Sequence, residues 1–135
     1  VDPAPRQAGT DSRQSLPMRN PSSTGAGRLL RATGHSWRGL VDTWRSEAAF
    51  RQELLLGAPL LVLVFALDLA PLSRALLLAT LGLVLVVELL NTAIEAVVDR
   101  VGADWHALSG KAKDSGSAAV TVSLLVHAAV WICVL

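Results

Sequence analysis

The stretch Ala75-Leu-Leu-Leu-Ala-Thr-Leu-Gly-Leu-Val-Leu-Val-Val-Glu88-Leu-Leu-Asn91-Thr92-Ala-Ile-Glu95-Ala-Val-Val98 decides the architecture. It is apolar apart from Glu88, Asn91, Thr92 and Glu95, and it exceeds the roughly 20 residues that a helix needs to cross a hydrocarbon core. Two further apolar runs flank it. Ala118–Leu135 carries no formal charge, only His127, and is also long enough to span. Leu54–Leu67, which ends at Asp68, is shorter and contains Gly57 and Pro59. Both residues are tolerated in membrane helices, so this run reads as a third span whose helix begins near Ser46 and projects beyond the bilayer.

Composition agrees. Of 135 residues, 52% are hydrophobic and 17% charged, which is one domain's length and too apolar for a soluble one. The net charge of +1 gives no basic field to attract nucleic acid. A single cysteine, Cys133, excludes an intrachain disulfide framework and a cysteine-based metal cage.

Upstream of the spans, residues 28–46 alternate as an amphipathic helix. Leu29, Leu30, Thr33, Trp37, Leu40, Val41 and Trp44 fall on one side, and Arg28, Arg31, His35, Arg38, Asp42 and Arg45 on the other. Basic residues opposite Trp and Leu suit a helix lying in the membrane interface. Residues 1–27 hold four of the six prolines and few large apolar side chains, a composition that predicts disorder. They lack the apolar core of a signal peptide. The chain begins with Val, which points to processing or an upstream start, with its one methionine, Met18, as an alternative start.

Topology follows from Lys and Arg. Eight of the twelve precede the first span, three lie in 99–117, and Arg74 alone lies in 68–74. The positive-inside rule then places the N-terminus and 99–117 in the cytoplasm, and the 68–74 turn and the C-terminus outside.

Glu88, Asn91, Glu95 and Asp99 are spaced by three, four and four, which puts them on one helix face. Ionised carboxylates facing lipid are too costly, so this face must meet protein, water or metal. The structural alternative is a set of interhelical ion pairs. The hairpin of the first two spans, centred near Pro71, brings further carboxylates to the same levels. Glu53 lies 18 residues before residue 71 and Glu88 17 after it, while Glu47 and Glu95 each lie 24 away. Two layers of carboxylates result, roughly 10 Å apart along the helix. A pair at one level suits a hard divalent cation such as Mg²⁺, which bridges phosphates. A carboxylate at the lipid boundary suits a general base for a lipid headgroup. Ser109-Gly-Lys-Ala-Lys113-Asp114-Ser-Gly116-Ser117 reads as a loop in which Gly110 and Gly116 permit tight backbone geometry and Lys113 reaches a phosphate. It is not a Walker A motif, and lysines beside a membrane are also plain topology signals.

Together these residues resemble the prokaryotic diacylglycerol kinase family of small membrane kinases over about residues 28–135. The resemblance rests on Glu88-Leu-Leu-Asn-Thr-Ala-Ile-Glu-Ala-Val-Val-Asp-Arg100, Glu47-Ala-Ala-Phe-Arg-Gln-Glu53 and His106-Ala-Leu-Ser-Gly-Lys-Ala-Lys-Asp114. It implies an all-α, homotrimeric helical bundle in the bacterial inner membrane, with three transmembrane helices (about 47–69, 73–99 and 115–135) and a surface helix per chain. Active sites are shared between adjacent chains. It implies transfer of the γ-phosphate of Mg-ATP to diacylglycerol. Glu88 is then the base, Glu47 and Glu95 hold the metal, and Asn91, counted with Glu88 as catalytic, supports that metal site together with Asp99. Arg28, His35, Asp99, His106, Lys113 and Asp114 contact the nucleotide, together with the two metal-holding carboxylates. Arg28, Ser36, Trp37, Arg51, Gln52, Glu53 and Ser117 face the lipid. His35 and Trp105 depart from the family pattern, where Tyr is frequent. Undecaprenol kinase resembles the same family and differs in lipid. A small proton-coupled multidrug transporter also combines few spans with an intramembrane Glu, but it places that carboxylate near mid-bilayer. A purely structural subunit leaves the four aligned polar residues unexplained.

Overall fold

The computed structural model describes residues 25–102 and 104–135, all built from four helices: α1 (Gly25–Ser46), α2 (Ala48–Ala66), α3 (Pro71–Val101) and α4 (Ala107–Val134). The expectation of disorder over 1–27, and that of a start at Met18, fall mainly on residues 1–24, outside the described ones. Residues 25–27 are already helical. Residues 36–135 form one compact unit, and the described residues 25–35 belong to another. In the earlier unit, the Thr33 hydroxyl donates to Leu30 O at 2.9 Å, a bond within α1.

α2, α3 and α4 are each long and apolar enough to cross a membrane. α3 packs on both of the others, most extensively on α4. The inward positions recur every seven residues: Phe50, Gly57 and Val64 on α2, Leu77 and Val84 on α3, Gly116 and Ser123 on α4. Two helical turns separate such positions, so each helix keeps one face inward. Leu55, Leu56, Val62, Phe65 and Leu125 are exposed on the outside, as lipid or a neighbour requires.

Lipid tails are as apolar as leucine, so membrane helices associate through close packing of small residues and through hydrogen bonds. Both devices are present. A Cβ added to Gly57 would lie 3.1 Å from Leu81 Cδ1, so the missing side chain lets α2 approach α3. Between α3 and α4, Thr80 Oγ1 and His127 Nδ1 are 2.8 Å apart, and Trp131 Nε1 donates to His127 Nε2 at 3.1 Å. An indole N–H can only donate, so Nε2 accepts and the Nδ1 proton goes to Thr80. The Thr80 hydroxyl in turn donates to Leu76 O at 2.9 Å.

The α2–α3 turn covers 67–70, because Pro71 is not its centre but the first residue of α3. Proline suits that position, having no N–H to leave unpaired and a φ already helical. Arg74 closes the turn by donating to Val64 O at 3.3 Å and Leu67 O at 3.4 Å, carbonyls at the end of α2. The Gly57–Leu81 contact centres the hairpin on residue 69 rather than 71. α4 also starts earlier than expected. Its N-cap is His106, whose Nδ1 accepts from Leu108 N at 3.2 Å, so 109–117 is helix and not a loop. Neither Gly110 nor Gly116 has a positive φ, so the tight backbone geometry expected of them is not used.

Candidate functional site

The long α3 runs past the end of α2 and carries the polar face with it. Glu88 is only 3% exposed. It lies within electrostatic reach of Glu95 and Glu47, and Glu53 lies within reach of Glu88. With the hairpin centred on 69, Glu53 is level with Leu85, beside which it lines a cavity, and Glu88 sits about 4.5 Å further along. The level pairings of Glu53 with Glu88 and of Glu47 with Glu95 are thus both corrected by one turn, and Glu47 falls level with Asn91. The Glu53 and Glu88 carboxylates still come within electrostatic reach because helical side chains lean toward their own N-terminus, and in antiparallel helices these leans converge.

Glu47 occupies the N-cap of α2 in an extended conformation and makes no side-chain cap bond, which leaves its carboxylate for other work. Asn91 Nδ2 donates to Glu95 Oε1 at 3.0 Å. One turn beyond, Asp99 pairs with Lys113 Nζ at 2.5 Å across the gap to α4, and Lys113 is also in reach of Glu95. Seven of the expected site residues are therefore brought together: Glu47, Glu53, Glu88, Asn91, Glu95, Asp99 and Lys113. Three buried oxygens at this end have no hydrogen-bond partner among the described residues: Glu53 Oε2, Asn91 Oδ1 and Thr92 Oγ1.

No three Asp, Glu, His or Cys side chains among the described residues converge as a closed metal cage. Two carboxylates with the remaining positions left to phosphate oxygens and water are the habit of Mg²⁺, which binds proteins through one or two carboxylates. Crowded carboxylates, with Lys113 in reach of Glu95 and paired to Asp99, also call for positive charge. The donor set fits the ion that the sequence implied.

Two apolar spaces adjoin the acidic cluster. A cavity of about 290 Å³ between α2, α3 and α4 runs from Gln52 and Glu53 down to His127. A shallower groove of about 410 Å³ is lined by Trp37, Trp44, Phe50 and Leu89, among others.

The remaining expected residues have other local roles or lie elsewhere. Arg51 donates to Trp44 O at 3.0 Å and Arg45 O at 3.2 Å, carbonyls at the end of α1. His106 caps α4. Asp114 lines an open groove with Trp105 and Lys111. Ser117 is exposed, and its carbonyl accepts from Thr121 Oγ1 at 3.1 Å. Ser36 and Trp37 begin the second unit and are exposed, while Arg28 and His35 belong to the first. Sequence reasoning took Gly116 for a loop glycine and missed that it faces Asn91, and it missed the Thr80–His127–Trp131 chain. A signal existed: Thr80 to Asn91 and Gly116 to His127 are both eleven residues, three helical turns, as two contacts between antiparallel helices require.

A model of the prokaryotic diacylglycerol kinase family matches residues 34–135. The chain is similar to the diacylglycerol kinase of Escherichia coli strain K12, 50% identical over 116 residues that cover 84% of this chain and 93% of that protein. It is similar to the diacylglycerol kinase of Pseudomonas aeruginosa at 50% identity over 112 residues, 83% of this chain and 91% of the relative. The diacylglycerol kinase of Haemophilus influenzae is 41% identical over 109 residues, 81% and 92% of the two chains.

Proposed function

Because the chain belongs to the prokaryotic diacylglycerol kinase family, we propose that it transfers the γ-phosphoryl group of Mg-ATP to the primary hydroxyl of diacylglycerol, giving phosphatidic acid and ADP. The observation that carries this reading is Glu88, a carboxylate 3% exposed where an acidic cluster adjoins apolar space. A lipid hydroxyl arrives there sideways from the bilayer, and a phosphate chain arrives from the aqueous end. Glu88 takes the hydroxyl proton while that oxygen bonds to the γ-phosphorus. The bond from phosphorus to the β–γ bridging oxygen breaks, and ADP carries its electrons away. Catalysis of this kind is positioning and charge neutralisation.

Glu47 and Glu95 hold the metal, which when bound neutralises phosphate charge. Asn91 orients Glu95 through its 3.0 Å bond, and Asp99 holds Lys113 at the nucleotide side. His35, His106 and Asp114 complete the nucleotide contacts. Ser36, Trp37, Arg51, Gln52, Glu53 and Ser117 serve the lipid side, with Arg28 touching both substrates. Three chains form the working unit and share sites between neighbours. Support comes from the apolar surface that one chain leaves open beside the cluster, such as Leu90 at 59% and Val97 at 64% exposure. The lysine and arginine distribution supports a cytoplasmic N-terminus, a periplasmic C-terminus and a surface helix at the inner face.

ATP-dependent phosphorylation in mixed micelles, with diacylglycerol and undecaprenol offered separately, tests the proposal. Transfer to diacylglycerol that vanishes in Glu88→Gln is the expected result. Transfer to undecaprenol alone overturns the substrate, and transfer to neither overturns the reaction.

A further inference from the structure

Gly116 is buried on α4 opposite Asn91. A Cβ built on it would overlap Asn91 Oδ1 and lie 3.3 Å from Asn91 Cγ, so the carboxamide rests against the α4 backbone. Its other end donates to Glu95 Oε1 at 3.0 Å. The carboxamide cannot flip in place, since its oxygen would then face the Glu95 carboxylate, acceptor against acceptor. Nor can α4 slide to make room, because the Thr80–His127 bond pins the same two helices three turns away. Gly116 is helical with no positive φ, so space, not backbone conformation, is what requires glycine there. Gly110, earlier on the same helix, has nothing within 4 Å of a built Cβ. Glycine is the poorest helix former after proline, so its place in a buried helix interior needs a reason such as this contact.

We infer that Gly116 is a positioning residue of the kinase site: the absence of a side chain at 116 seats the Asn91 carboxamide, and the seated carboxamide sets where the Glu95 carboxylate is held. The inference rests on the proposed reading that Glu95 holds the metal of Mg-ATP. Groups that orient a metal ligand cost about 10–100-fold in metal affinity or activity when disturbed.

The test is a double-mutant cycle on the full chain in micelles, with Gly116→Ala, Asn91→Ala and the double variant. Two quantities are read: the SDS concentration at half-unfolding, and the Mg²⁺ concentration for half-maximal phosphorylation. Gly116→Ala alone lowers the first and raises the second about 10–100-fold. In the Asn91→Ala background the same substitution changes neither. If Gly116→Ala fails to fold, recovery of the fold in the double variant supports the seat. An equally unfolded double variant overturns it. So does a Gly116→Ala effect of equal size with and without Asn91, or an unchanged Mg²⁺ requirement in folded Gly116→Ala. Glu95→Gln separates the two levels. An unaltered Mg²⁺ requirement in that variant removes the metal role of Glu95, whereas the unfolding arm of the cycle judges the seat alone.

Discussion

Replacing His127 by leucine isolates what a hydrogen bond contributes between two membrane helices of this protein. The ring is 6% exposed and uses both nitrogens, accepting from Trp131 at 3.1 Å and bonding Thr80 at 2.8 Å. Interhelical hydrogen bonds in membranes average about 0.6 kcal/mol and reach about 1.7. Of the two bonds only the one to Thr80 joins α3 to α4, since Trp131 lies one turn along α4 itself. His127→Leu deletes both, about 1.2 kcal/mol, and strands the Trp131 N–H, which adds about 1–3 kcal/mol where that group stays buried. The expected total is about 2–4 kcal/mol. Thr80→Val removes one hydroxyl of nearly the same volume and should cost about 0.6–1.7 kcal/mol. Replacing both partners by apolar groups is much cheaper than orphaning one. The two substitutions together should therefore cost less than the sum of the singles, by about 0.6–1.7 kcal/mol. SDS-induced unfolding followed by near-ultraviolet circular dichroism of the tryptophans measures all four proteins. Additivity within about 0.3 kcal/mol, the ordinary result for uncoupled sites, would refute the clasp.

Three further outcomes are expected. Glu88→Gln should lower turnover about 100- to 10,000-fold, the usual contribution of a general base. It should leave fold stability equal or higher, because it removes one charge from a site shared with Glu47, Glu53 and Glu95; a destabilised variant in thermal unfolding would contradict that crowding. Lys113→Met breaks the pair with Asp99 and should raise the KM for Mg-ATP more than it lowers kcat, as steady-state titration of nucleotide will report. Arg74→Ala uncaps the last turn of α2 and should cost about 0.3–1 kcal/mol, seen as faster amide exchange across residues 64–71, while turnover stays at its normal rate.

Much of the site could be read along one helix. Glu88, Asn91, Glu95 and Asp99 share a face because the helical repeat alone puts them there, and their cost in lipid marks them as functional without any partner being known. The pairing of α2 with α3 was legible only to within one turn. It depends on where the turn lies, and Pro71 reads equally well as a turn centre or as a helix start until Arg74 is seen closing 67–70. The segment 109–117 misled for a related reason. Glycine and serine mark loops in water, but in a membrane helix they also mark a packing face, and composition does not separate the two.

By itself the sequence determined three spans, the polar face of α3 and the family, because each rests on local chemistry: apolar length against bilayer thickness, helical periodicity, and the identity of contiguous motifs. Only the tertiary structure decided that Glu53 reaches Glu88 from a turn away, that Arg51 and His106 close helix ends, and that Gly116 is a seat for Asn91. Those facts depend on the axial offset between antiparallel helices, a quantity no single helix encodes. The offset is set by the turn that joins α2 to α3, by the close approach at Gly57, and by one hydrogen bond from His127 to Thr80.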